Sequence, residues 1–226
     1  MKTITQTAVL AIICLIPLAL LADNSAPTFR VTSAPTDTSP AASAEAAYTE
    51  DRISLQLVSG ALFSHIGVGP DTPTFNYAQT NLRLGWMLNT PNPEGGFFAG
   101  NWEALIELSG SAIFDGPGDI IIGPTALIRY NFVQPNWKVV PYVQGGVGIV
   151  YTDAYEDKTQ DAIGQAIEFT PQVSVGLRVL VAEDWSVDLE GMFHHISNAG
   201  MAERNDGTNA LGGLIGATYR FDKVWE

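Results

Sequence analysis

The feature that most constrains this chain is an alternation of apolar and polar residues that starts near Arg52 and continues almost to the C-terminus. Successive side chains of a strand point to opposite faces, so this alternation predicts strands with one apolar and one polar face. Eight such segments follow one another, separated by clusters of turn-forming residues. They are residues 52–63, 77–88, 101–114, 120–132, 137–151, 167–179, 185–193 and 211–221.

The apolar faces are nearly free of charge, and aromatic residues lie near the ends of the segments. Transmembrane barrels place aromatic residues where their wall meets the two membrane interfaces. The pattern therefore predicts an all-β fold: an eight-stranded antiparallel up-and-down transmembrane β-barrel. The aromatic residues concerned are Trp86, Trp102, Phe114, Trp137, Tyr151, Trp185 and Phe221.

The opposite faces carry arginines and acidic residues in similar numbers. An eight-stranded barrel leaves an interior that side chains fill. We therefore expect a packed polar lumen in which opposite charges pair, with no open pore. The charged residues are Arg83, Arg129, Arg178 and Arg220, with Glu103, Glu107, Glu168, Asp188 and Glu190.

A soluble barrel of the lipocalin kind is an alternative, because it shows the same alternation with the apolar face turned inward. The aromatic segment ends and a charged fraction of only 15% favour the membrane. The N-terminus also favours it. Lys2 and the apolar run 8–22 are typical of a secretory signal peptide.

We expect a signal peptide over 1–22, a flexible Ala/Ser/Thr/Pro-rich leader over 23–50 and the outer-membrane barrel over 51–226. Cleavage after Ala22 or after Ala26 is compatible with the sequence. The single cysteine, Cys14, lies in the signal peptide, so the mature chain has no disulfide. A formal net charge of −13 makes nucleic acid a poor partner.

With the N-terminus in the periplasm, we expect extracellular loops near 64–74, 115–119, 152–164 and 198–208. The 152–164 loop contains four acidic residues and one lysine. We interpret it as a solvated surface loop.

The candidate chemistry lies at the extracellular end of the seventh segment. His195 and Ser197 are two residues apart, so they share a face, and their parity is that of the lipid-facing wall. His194 has the opposite parity and is expected to point into the lumen. A histidine beside a serine can take the hydroxyl proton while the serine attacks an ester.

A third residue is expected to orient the histidine. Antiparallel pairing across the 198–208 loop brings Asn209 opposite His195 with the same outward parity, and an amide oxygen can accept an imidazole N–H. Glu203 and Asp206 are charged alternatives in the loop.

The oxyanion of an ester reaction needs hydrogen-bond donors close to the nucleophile. The side chain of Asn198, or the backbone amides near Ala199 and Gly200, are the candidates. This chemistry requires no metal, and the sequence contains no cofactor motif.

The stretch 193–221, FHHISNAGMAERNDGTNALGGLIGATYRF, resembles the C-terminal signature of the lipid A 3-O-deacylase (PagL-like acyloxyacyl hydrolase) family. That signature has His-x-Ser-Asn, then Asn-x-Gly-x-acid, then a final strand. The resemblance implies an outer-membrane barrel that removes the acyl chain ester-linked at position 3 of lipid A.

The resemblance also implies roles for individual residues. It makes His195 the base, Ser197 the nucleophile and Asn198 an oxyanion donor. Asn205 and Gly207 match positions that shape the active-site loop. The family's acidic position falls on Asn209, where a glutamate is expected.

The implied partners are lipid A or lipopolysaccharide and the surrounding membrane lipids, and the implied location is the cell outer membrane. Two other functions stay open: a non-catalytic small outer-membrane barrel with a structural or adhesive role, and a different outer-leaflet lipid esterase. The sequence leaves the acyl-chain preference and the oligomeric state open, with a homodimer among the alternatives.

Overall fold

The structure is a computed structural model, and it describes residues 44–64 and 73–222. The predicted signal peptide (1–22) and the predicted leader up to residue 43 lie outside the described residues.

Eight antiparallel strands close into a barrel, in which each strand pairs with its neighbours in sequence and the last pairs with the first. This confirms the predicted architecture. The strands are β1 (Ile53–Phe63), β2 (Asn76–Met87), β3 (Gly100–Asp115), β4 (Ile120–Phe132), β5 (Val139–Thr152), β6 (Ile167–Leu180), β7 (Trp185–Ile196) and β8 (Thr208–Phe221).

Helical structure in the described residues is limited to short segments. A single α-helical turn, α1 (Ala44–Ala47), precedes β1, and two 3₁₀ segments (Pro93–Phe98 and Ala154–Glu156) lie in the connections. None of the helices described is long and apolar enough to cross a membrane.

The outer wall of the barrel is apolar on every strand. Residues with the predicted outward parity leave large hydrophobic side chains exposed, which is the surface expected of strands that face lipid. Among them are Leu55, Leu82, Ile106, Ile128, Val147, Val175, Leu189 and Ile215.

The middle of the lumen is a network of fully buried ion pairs. Arg83 Nε lies 2.6 Å from Glu107 Oε2, and Arg83 Nη1 lies 2.5 Å from Glu190 Oε2. Glu103 Oε2 lies 3.1 Å from both Arg129 Nη1 and Arg178 Nη1. Charges buried without water are tolerated when they are paired in this way. The predicted packed polar lumen is thereby confirmed.

Apolar clusters close both ends of this network, which the alternation alone did not predict. We name the end that holds Ile53 and Phe221 periplasmic and the opposite end extracellular, following the expected topology. The periplasmic cluster consists of Ala44, Ala47, Tyr48, Met87, Val133, Val140 and Leu180. The extracellular cluster includes Leu62, Phe75, Tyr77, Ile121, Val150, Ala154, Ala162, Ile163, Met192 and Ile196.

The last residues of the predicted flexible leader, 44–50, pack against the barrel. Tyr48 is fully buried, its hydroxyl accepts a hydrogen bond from Arg220 Nη2 (2.8 Å), and its ring lies 4.6 Å from the Arg220 guanidinium carbon. Asn101 Nδ2 donates to the Tyr48 carbonyl (3.2 Å). The composition of the leader could not show these contacts, because their partners lie far away in the sequence.

Candidate active site

The strands β7 and β8 place two predicted site residues side by side at their extracellular ends. His195 and Asn209 are direct cross-strand partners, and both have outward parity. Both strands extend three residues further toward this end than the alternation predicted, to Ile196 and from Thr208. The histidine and the asparagine are therefore held by regular backbone pairing and not by a loop.

Ser197 follows β7 directly and is fixed by backbone pairing to β6. Its N–H donates to the Phe169 carbonyl (3.1 Å), and the Phe169 N–H donates to the Ser197 carbonyl (2.8 Å). The serine is thus attached on both sides, to β7 through the chain and to β6 through hydrogen bonds.

Three side chains form a continuous hydrogen-bonded row on the outer wall. His195 Nδ1 lies 2.7 Å from Asn209 Oδ1, and His195 Nε2 lies 3.0 Å from Ser197 Oγ. Because the amide oxygen can only accept, Nδ1 carries the proton and the Nε2 lone pair is left to accept from the serine hydroxyl. This is the order of nucleophile, base and orienting group found in serine hydrolases.

The next residues, 198–207, form a loop that we call the active-site loop. Asn198 is fully buried at its centre: its Nδ2 donates to the Arg204 carbonyl (2.9 Å), and its Oδ1 accepts from the N–H groups of Gly200 (3.0 Å) and Ala202 (3.3 Å). The Asn198 N–H donates to Asn205 Oδ1 (2.7 Å). Both asparagines therefore hold the loop in shape.

This arrangement differs from the expectation for Asn198. Its side-chain amide is directed into the active-site loop and bonded to backbone there, and the Gly200 N–H is engaged with Asn198 Oδ1. The donor role in an oxyanion site stays a prediction, and the structure adds a scaffolding role for the same side chain.

Gly207 lies against the predicted catalytic pair. Its φ is +70°, a conformation that favours glycine, and a Cβ atom there would lie 3.1 Å from His195 Cε1 and 3.4 Å from Ser197 Cβ. Gly200 has φ +82°, also in the left-handed region, with open space around the position of a Cβ. The two glycines turn the loop, and Gly207 also leaves room for the imidazole.

His194 faces the lumen, as its parity predicted. It is buried, and its Nδ1 lies 2.6 Å from the Tyr77 hydroxyl oxygen. It therefore belongs to the apolar closure of the extracellular end and not to the row on the outer wall.

We call the segment 153–166, between β5 and β6, the platform loop. The sequence predicted a solvated surface loop over residues 152–164. That interpretation was wrong for its apolar residues, because Ala154, Ala162 and Ile163 are fully buried in the extracellular cluster. Its exposed residues are Asp161 and those of the charged tip, 156–159. There the Thr159 hydroxyl and N–H donate to Asp157 Oδ1 (2.7 and 2.9 Å) and hold the pKa of that carboxyl below its usual value.

Arg204 is a further residue of this site that could not be predicted from the sequence. Its guanidinium donates to backbone carbonyls of the platform loop, and its own carbonyl accepts from Asn198. No local motif marks such a residue, because its partners are backbone atoms more than forty positions away. Within the described residues, no group of three or more His, Cys, Asp or Glu side chains is arranged to hold a metal ion.

The fold and this site define a class: a transmembrane β-barrel with a serine, a histidine and an asparagine hydrogen-bonded in a row on its outer wall. A family model, described as lipid A 3-O-deacylase (PagL), matches residues 60–218, well over half of the chain. The chain belongs to this family. Family membership and the barrel fold together indicate an outer-membrane location.

The fold is similar to that of a solved outer-membrane enzyme. The crystal structure of the outer membrane enzyme PagL is 16% identical with a TM-score of 0.51, and the match covers 72% of this chain and 97% of that one. Neisserial surface protein A is 13% identical (TM-score 0.48; 76% and 97% covered). OprG from Pseudomonas aeruginosa is 14% identical (TM-score 0.45; 78% and 99% covered). No curated protein matches the chain.

Proposed function

We propose that this protein is an outer-membrane esterase that removes the acyl chain ester-linked at position 3 of lipid A. The observation that carries the proposal is the row Ser197–His195–Asn209, with hydrogen bonds of 3.0 and 2.7 Å, on the wall that faces lipid. A polar row on such a wall is unfavourable unless it has a partner there.

The proposed reaction starts with attack of Ser197 Oγ on the ester carbonyl carbon, while His195 Nε2 takes the hydroxyl proton. The tetrahedral intermediate collapses, and the imidazolium gives this proton to the departing sugar oxygen. The acyl chain is then bound to the serine. Water attacks this acyl-enzyme with His195 again as base, which releases the free fatty acid and restores the serine.

Asn209 has a defined part in this scheme. Its amide oxygen holds the proton on His195 Nδ1, so that Nε2 is available to the serine. An amide carries no negative charge to stabilise the imidazolium that forms in the transition state. We therefore propose that this enzyme is slower than a family member with a carboxylate at that position.

The start of the active-site loop is the proposed source of oxyanion donors, from Asn198 and the backbone around Ala199 and Gly200. Ala199 (φ +55°) and Gly200 (φ +82°) turn the backbone sharply beside the nucleophile. Asn205 and Gly207 are proposed to keep this turn in place.

The location of the row agrees with a lipid substrate. The ester of a lipid in the outer leaflet lies near the interface, at the depth of the extracellular strand ends. The proposed partners are therefore lipid A or lipopolysaccharide, with the protein in the outer membrane after removal of its signal peptide. A homodimer stays a prediction.

A non-catalytic barrel is a second candidate function, and one observation favours it: the family's glutamate is replaced by Asn209. The two functions differ in what Ser197 does. An inert barrel needs no serine hydroxyl at this position.

Mass spectrometry of lipid A from cells that express the protein separates these functions. The wild type is expected to produce lipid A that lacks one ester-linked hydroxyacyl chain, and Ser197→Ala is expected to leave lipid A intact. Ser59→Ala is the matched control, because Ser59 also lies on the outer wall but bonds Thr80 on the neighbouring strand. Intact lipid A with the wild type at normal expression would leave two alternatives, the inert barrel or an esterase that acts on a different outer-leaflet lipid.

A further inference from the structure

The platform loop is built as a rigid support. Ala154, Ala162 and Ile163 anchor it in the extracellular cluster at 0% exposure. Inside the loop, Gln160 Nε2 donates to the carbonyls of Ala154 (3.2 Å) and Ile163 (2.9 Å), and its Oε1 accepts the Ile163 N–H (2.8 Å). The backbone carbonyls at its surface are therefore held in fixed positions.

Arg204 of the active-site loop is bonded to three of these carbonyls. Its Nη1 donates to Asp157 O (2.9 Å) and Gln160 O (2.8 Å), and its Nη2 donates to Tyr155 O (2.9 Å). The planar guanidinium presents several donors in one rigid fork, whereas a lysine ammonium is a single compact group on a flexible stem. Three acceptors around one guanidinium form a contact that a lysine ammonium could reproduce only in part.

The backbone of the active-site loop is bonded to the same support. The Asp206 N–H donates to Asp161 O and the Gly207 N–H donates to Ala162 O, each at 3.0 Å. Gly207 in turn is the residue whose position limits the space beside His195.

From Arg204 the connection continues to the nucleophile. The Arg204 carbonyl accepts from Asn198 Nδ2 (2.9 Å), and Asn198 is the residue next to Ser197. A displacement of Arg204 therefore removes a partner from the buried Asn198 amide, and the amide fixes the turn that follows the serine.

We propose that Arg204 is a positioning residue of the esterase: it connects the platform loop to Asn198 and so fixes Ser197 and the turn that supplies the oxyanion donors. This inference rests on the proposed function. It assigns a catalytic contribution to a loop outside the row of three side chains. It also accounts for the apolar anchoring of that loop, because a mobile support could not position a nucleophile.

The experiment measures kcat and KM on lipid A with the refolded full-length chain in detergent, for the wild type, Arg204→Ala and Arg204→Lys. Misplacement of a reacting group by about 1 Å costs on the order of a hundredfold in rate. We expect kcat to fall by about ten- to a hundredfold in Arg204→Ala, with KM changed by less than about threefold. Arg204→Lys is expected to recover part of the loss.

Lys138→Ala is the matched control. It also removes a basic side chain, but Lys138 is exposed in the β4–β5 turn, at the periplasmic end of the barrel and away from both loops. Its kcat is expected to stay at the wild-type value. Circular dichroism and thermal unfolding of each variant confirm that the barrel is folded.

The double variant Asn198→Ala/Arg204→Ala separates positioning from a general structural effect. If Arg204 acts through Asn198, the double variant loses no more activity than Asn198→Ala alone, because coupled residues are not additive. Multiplied losses, or a kcat within twofold of wild type in Arg204→Ala, would overturn the proposal while the esterase stands. An inactive wild type would overturn both.

Discussion

Asn209 offers the sharpest test of the hydrogen-bonded row, because a single atom type changes in Asn209→Asp. The aspartate keeps the oxygen that lies 2.7 Å from His195 Nδ1 and adds a negative charge beside the imidazole. In the proposed mechanism, this charge interacts with an imidazolium only when the proton has been taken from Ser197. It would therefore stabilise the transition state more than the ground state.

The magnitude follows from Coulomb's law. Two unit charges about 4 Å apart interact by about 1 kcal/mol in water and by about 4 kcal/mol near a protein surface. His195 and Asn209 are half-buried at the membrane interface, so we take a value between these limits. Each 1.36 kcal/mol is a factor of ten, which gives an increase in kcat of roughly ten- to several hundredfold.

The assay is the initial rate of fatty acid release from lipid A by refolded wild type, Asn209→Asp and Asn209→Ala. Asn209→Ala removes the acceptor and is expected to be slower than wild type, because Nδ1 loses the group that fixes its proton. Asn92→Asp adds the same charge in the exposed β2–β3 turn and is expected to match wild type. An Asn209→Asp rate no higher than wild type, in a folded protein, would refute the reasoning that His195 becomes an imidazolium held by this position.

Three further predictions concern the active-site loop, the buried ion pairs of the lumen and the metal requirement of the reaction. Gly207→Ala is expected to lower both kcat and thermal stability, because the added Cβ would lie 3.1 Å from His195 Cε1 and a φ of +70° costs an L-residue roughly 1–2 kcal/mol. Kinetics and thermal unfolding measure these two effects, and unchanged values would contradict the prediction. Glu103→Gln is expected to destabilise the barrel by about 3–5 kcal/mol, because it removes the buried carboxylate that Arg129 and Arg178 share. Urea unfolding in detergent tests this, and an unchanged midpoint speaks against it. Esterase activity is expected to survive EDTA, since the row contains no metal ligand set. Loss of activity that Ca²⁺ or Mg²⁺ restores would show that the reaction requires a metal ion that the proposed mechanism does not include.

Most of the features that could be predicted from the sequence follow from strand parity. Because side chains alternate between the two faces of a strand, His195 and Ser197 were predicted on the outer wall and His194 in the lumen. The structure has all three on those sides. Antiparallel pairing around a single loop also brought Asn209 to His195. These features are local or depend on one hairpin, so they can be read from adjacent residues.

Contacts between distant segments could not be predicted in this way. Tyr48 contacts Arg220, which lies 172 positions further along the chain. Arg204 contacts backbone carbonyls of the platform loop, and a contact with backbone does not depend on the residue type of the partner. The orientation of the Asn198 side chain could not be predicted either. The sequence allows its amide to face the nucleophile or the loop, and in the folded loop it is bonded to the backbone of Arg204 and Gly200.

Ser197 is proposed to remove the ester-linked acyl chain from position 3 of lipid A, and a time course of purified, refolded protein with lipid A tests this proposal. Mass spectrometry follows the released fatty acid and the remaining glycolipid. We predict release of the ester-linked 3-hydroxyacyl chain from position 3, with amide-linked chains retained, and no release by Ser197→Ala. Release by Ser197→Ala at the wild-type rate, or loss of a chain from another position, would overturn the proposal.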